Sequence, residues 1–163
     1  MKTVLEVFYL RIQADKLYYH RKQIDLSQRG GDPDALLKSV IHQELHTSAG
    51  TISTEFLIHS TSWRYASPKR IILTYVAYSD ELVFGRGRVK HMSLKQLRKI
   101  NISSGRPRSR EGLERQVVAH AMRHLSFLIK TDDQGQFRNA LKPSSEKVFQ
   151  SLWMRLAGRL EFK

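Results

Sequence analysis

Glu44 has the setting in this chain that is hardest to account for without chemistry. It lies in LLKSVIHQELHTSAG, where Leu36, Leu37, Val40, Ile41 and Leu45 recur at helical spacing. At roughly 100° per residue these side chains span an arc of about 180°, and Glu44 falls near its middle. A carboxylate on an apolar face must be paired, hydrated in a cleft or protonated, because burying it bare is costly. Two readings follow: an ion pair to an arginine, or a group facing a ligand or metal. His42 and His46 each lie two residues from Glu44, so at helical spacing they point roughly opposite to it, whereas the zinc-protease pattern His-Glu-x-x-His puts its glutamate beside the metal. They read as two solvated histidines. No residue is assigned as a metal ligand.

A second concentration of polar and aromatic groups is HSTSWRY, residues 59–65. His59, Trp63, Arg64 and Tyr65 together could stack a base or ring and hold a phosphate through the guanidinium. The alternative is that Trp63 packs at an edge and the hydroxyls serve a turn. A third feature is electrostatic. The 163 residues carry 28 Lys and Arg against 15 Asp and Glu, a formal charge of +13. Between Leu82 and Arg110 the basic residues include Arg86, Arg88, Lys90, Arg106, Arg108 and Arg110 with no acid after Glu81. Such a segment is either a solvated surface or an anion-binding one for a nucleic acid backbone or a polyphosphate. Phe84 is its only aromatic residue, too few for a stacking platform for single strands. His120 and His124, four apart on a helix, read as packing histidines.

The elements that must position these groups follow from periodicity. Alternating β-branched and aromatic residues predict a hairpin of residues 3–13 and 16–22 about Ala14-Asp15. Residues 23–34 read as a loop, with Asp32 or Asp34 capping the helix of Glu44 and Gly50 ending it. Strands are expected at 51–65 and 69–78, and a weak one at 82–89 interrupted by Gly85 and Gly87. A short helix opens at Met92 or Ser93, and 85–110 is otherwise a basic loop segment. The strongest helix spans 113–130, residues 131–142 form a polar loop, and a C-terminal helix over 144–157 buries Val148, Phe149, Leu152, Trp153 and Leu156. The length fits one domain over residues 1–163. The chain has no cysteine, which excludes disulfide scaffolds and thiolate chemistry and fits a cytoplasmic protein. Glu6 and Arg11 interrupt the N-terminal apolar run, so neither a signal peptide nor a membrane partner is expected.

The order of these elements, with QELHTSAGT ending the first helix, resembles the Nudix hydrolase superfamily. Its box runs Gly, five residues, Glu, seven residues, then Arg-Glu-apolar-x-Glu-Glu-x-Gly-apolar. Aligned on Gly50, the chain keeps Glu44, Leu45 and Gly50. It has Gln43 in place of the arginine, Thr47 and Ser48 in place of the paired glutamates, Ala35 in place of the early glutamate and Arg29 in place of the first glycine. The chain is similar to bacterial Nudix-like proteins whose box has decayed. The resemblance implies an α/β (α+β) architecture, an α/β/α sandwich with a mixed β-sheet and here an additional C-terminal helix. It also implies a pocket between the first helix and the sheet for a nucleotide or other phosphorylated small molecule. Nudix chemistry holds Mg²⁺ or Mn²⁺ on several carboxylates to activate water, so the resemblance implies a domain without ordinary diphosphohydrolase activity. One alternative is a diverged metal-dependent hydrolase in which Glu44 works with Glu55, Asp80 or Glu81. The other is a nucleic-acid or polyanion-binding module.

Overall fold

The computed structural model describes residues 2–26, 32–48, 56–84, 89–100, 107, 109–139 and 141–153. The fold is α+β, built on one mixed five-stranded sheet. Its elements are β1 (Lys2–Gln13), β2 (Lys16–Asp25), α1 (Pro33–Ser48), β3 (Leu57–Ser67), β4 (Arg70–Tyr78), β5 (Lys90–Ser93), α2 (Leu94–Lys99), α3 (Arg110–Lys130), α4 (Gln136–Asn139) and α5 (Pro143–Trp153).

The strand order is β3-β4-β1-β2-β5. Two antiparallel hairpins, β1–β2 and β3–β4, are joined by parallel pairing of β1 with β4, from Lys2 opposite Arg70 to Leu10 opposite Tyr78. β1 is therefore central, and everything from Val4 to Leu10 is buried. Alternation sends Leu5, Val7 and Tyr9 to one face, where they meet Tyr75, Ala77 and Leu82 and the α1 residues Leu37 and Ile41. Phe8, Leu10 and Ile12 go to the other face and pack with Tyr19, Tyr78, Val118, Met122 and Leu125, backed by Phe149 and Leu152 of α5. The sheet thus has helices on both faces.

Local signals account for most boundaries. The β1–β2 turn places Ala14 at φ +54°, a left-handed conformation unusual for a residue with a Cβ. Asp32 caps α1 by accepting from the Ala35 amide at 3.2 Å, and Pro33 takes the first helical position. Ser93 and Gln96 form a capping box that starts α2.

Four expectations need correction. β2 runs on to Asp25, because its outer half continues to pair with β1, so the loop begins later than residue 23. No strand forms at Leu82–Phe84: Leu82 turns into the α1-side core and its carbonyl accepts from Arg11 Nη1 at 2.7 Å. The fifth strand is Lys90–Ser93 instead, paired with Lys16–Tyr19. The polar loop of 131–142 contains the single-turn α4. Gly50, Leu156 and Gly158 lie outside the described residues, as do the side chains of Leu45 and Trp153.

Candidate functional site

The α3 face of the sheet carries a charged network in the middle of an apolar strand. Glu6 of β1 is 1% exposed. On β1 it follows Val4 and precedes Phe8, so its side chain projects beneath α3 with neighbours from both flanking strands, opposite Gln23 of β2 and Thr74 of β4. Its Oε1 accepts from Arg21 Nε at 2.7 Å and Nη2 at 2.6 Å, and from Gln23 Nε2 at 3.1 Å. Its Oε2 accepts from Arg64 Nη2 at 2.6 Å and from the Thr74 hydroxyl at 3.3 Å, while that hydroxyl accepts from Arg64 Nη1 at 2.8 Å. Burial alone would raise the Glu6 carboxyl, but hydrogen bonding and charge from Arg64, then Arg21, outweigh it and hold the group below its ordinary value. Glu6 is therefore an ionised anchor for two arginines.

Arg21 continues the network outward. Its Nη1 lies 3.2 Å from Glu114 Oε1, in the first turns of α3. Glu114, 7% exposed, also takes the Lys90 ammonium on Oε2, and Arg110 Nε stands 3.7 Å from its Oε1. Above these groups opens a cleft of about 430 Å³, lined by Tyr19, His20, Arg21, Lys90, Arg110 and Glu114. β5 stops pairing at Tyr19, so the edge of β2 beyond it is left uncovered by that strand. From α3, whose first turn is capped by Ser109, Arg110 and Glu114 reach the same space. The cleft thus gathers three cations around one carboxylate. Tyr19 forms part of the wall, and its burial pushes its hydroxyl above the ordinary value, so it stays neutral.

The structure separates several residues that the sequence suggested together. Arg64 pairs across β4 with Ile72 and turns to Glu6, whereas Trp63 and Tyr65 pair with Leu73 and Ile71 and turn to the opposite face. Trp63 and Tyr65 are 63% and 62% exposed and meet edge to face at 5.6 Å. They do not line the cleft. His59 instead faces α3, 5.8 Å from His124, which in turn lies 4.4 Å from His120. Burial lowers all three imidazoles below their ordinary value; His124 lowers the other two further, and a hydrogen bond with the Thr61 backbone opposes the shift at His120. Of the basic segment, Lys90 and Arg110 meet at Glu114, while Arg86, Arg88, Arg106 and Arg108 lie outside the described residues. The side chains of Glu44, His42 and His46, and the whole of Glu55, also lie outside them.

The other acids considered as metal ligands have structural partners. Asp80 accepts from the Tyr78 hydroxyl at 2.6 Å, the Lys142 amide at 2.7 Å and the Ser145 hydroxyl, which ties β4 to the start of α5. Glu81 pairs with Lys142 at 2.6 Å. Among the described residues no three histidine or carboxylate side chains are placed to hold one metal ion. Among them, too, no helix is long and apolar enough to cross a membrane.

Sequence reasoning passed over Glu6, Arg21 and Glu114. For Glu6 a signal was present: strand residues on both sides of it are apolar, so either face would bury it. Arg21 and Glu114 have no comparable signal, because their meeting depends on the placement of α3 over β2. No protein-family model, curated protein sequence or solved structure matches the chain.

Proposed function

We propose that the chain is a Nudix-like domain that binds a nucleotide or a related phosphorylated anion, without the metal-assisted diphosphate hydrolysis of Nudix enzymes. The observation that carries this reading is the convergence of Arg21, Lys90 and Arg110 on one cleft at the N-terminal turn of α3. Cations favour phosphate, and a cleft of about 430 Å³ has room for a nucleotide. The loss of hydrolysis rests on the sequence, where Thr47 and Ser48 occupy the positions of the paired glutamates. In this reading the pocket lies on the α3 side of β2, on the opposite sheet face from the α1-side pocket that the Nudix resemblance implies, and Arg64 supports it from behind through Glu6.

Titration calorimetry of the full chain with adenosine and guanosine 5′-phosphates, and with the parent nucleosides, tests the reading. Nucleotides should bind and nucleosides should not. A Lys90→Gln, Arg110→Gln double variant should weaken binding by about tenfold or more, the effect of losing charged hydrogen bonds. Indifference of the chain to every nucleotide, or unchanged affinity in the double variant, would show the assignment to be wrong. Release of phosphate with Mg²⁺ or Mn²⁺ would favour the diverged hydrolase. Stronger binding of DNA or RNA than of any nucleotide, falling steeply with salt, would favour a polyanion module.

A further inference from the structure

Glu114 is the one carboxylate among the described residues that lines the cleft, and it touches every cation that lines it: Arg21 at 3.2 Å, Lys90 at hydrogen-bonding distance and Arg110 at 3.7 Å. An incoming phosphate therefore meets cations that already have an anion. These cations are not equivalent. Arg21 is largely buried and fixed from behind by the two nitrogens it gives to Glu6. Arg110 has a side chain 82% exposed and Lys90 is also well exposed, so both can turn toward the cleft without breaking a packed core. If they turn, Glu114 keeps Arg21 as its partner, and the buried carboxylate is not left bare.

Resting on the binding role proposed above, we infer that Glu114 is a resident counter-anion which the ligand phosphate displaces from Lys90 and Arg110, and which thereby selects for ligands of low charge. A terminal phosphate monoester replaces the carboxylate on the two movable cations. Each further phosphate adds charge that faces Glu114 at short range inside a partly desolvated cleft, where like charges repel more strongly than in water. The ligand class singled out is a phosphate monoester of nucleotide size rather than a di- or triphosphate.

The experiment compares adenosine mono-, di- and triphosphate on the unsubstituted chain and on Glu114→Gln, which keeps the side chain's shape and removes its charge. The substitution should tighten monophosphate binding by roughly tenfold and triphosphate binding by more, so that the preference shifts toward higher charge. Unchanged or weaker binding across the series would overturn the inference while leaving nucleotide binding intact. Absence of binding by both proteins would remove the binding role itself. A second measurement needs no variant: on adding adenosine monophosphate, the Arg110 Nε–H resonance should shift while that of Arg21, held on Glu6, stays in place. The reverse pattern would overturn the displacement.

Discussion

Glu6 is the residue on which the α3 face depends. It is the buried member of its ion pairs, whereas Arg21 and Arg64 each retain some access to solvent. Glu6→Ala leaves two guanidinium groups facing a void lined by Gln23 and Thr74 and should destabilise the chain by about 3 kcal/mol, the scale of breaking a buried pair. Arg64→Gln leaves Glu6 with Arg21 and Gln23 and should cost only about 1–2 kcal/mol. Denaturant unfolding of the two variants checks the order; a costlier Arg64→Gln would mean that Arg64 holds more than Glu6. The sequence made Arg64 visible, because it stands in a cluster of polar and aromatic residues, but suggested that it held a ligand. Its actual partner is 58 positions away in sequence and on a different strand, a relation that only the register of β1, β4 and β3 creates.

At the scale of elements, the join between edge strand β3 and α3 is sensitive to acid. His59, His120 and His124 meet there, Arg123 is the further charge acting on His120, and every shift in the cluster is downward from the ordinary imidazole value. The unfolded chain therefore takes up protons first as pH falls. The stability contributed by the cluster is complete above about 6.5 and is lost as pH drops from there through the lower folded values. Glu6 adds a second loss at lower pH, because its folded pKa is below 4.5: its contribution is present above that value and disappears as pH falls through the folded one. The melting temperature should decline between pH about 6.5 and 5, and His124→Gln should flatten that decline. A melting temperature that is level through the same window in the unsubstituted chain would contradict this. Hairpins and long helices were legible here because their periods and turns are local, as with Asp32 before α1 and the apolar face of α3. β5 was not: KHMS is short and two of its residues are exposed, and it is a strand only because β2 offers an edge. The apolar start of residues 82–89 mimicked a strand while Leu82 was serving the core.

For the whole molecule, the +13 charge raises the expectation of an anionic partner without saying where one would bind, since the cleft exists only once α3, β2 and β5 come together. That strands and helices share one α/β domain was legible from their alternation along the chain, whereas the mixed sheet was expected only through the resemblance to the Nudix fold. The parallel pairing of β1 with β4 also governs how the chain folds. Each hairpin closes through a two-residue turn, at 14–15 or 68–69, and can form within microseconds. Their union must wait until residue 4 finds residue 72 with all of α1 in between, a loop closure that delays the reward of contact. Docking of two preformed hairpins is the expected rate-limiting event. Val76→Ala, at the seam on β4, should therefore slow refolding, whereas Leu152→Ala on α5 should mainly hasten unfolding, a contrast that stopped-flow chevrons would read directly and whose reversal would place α5 in the nucleus.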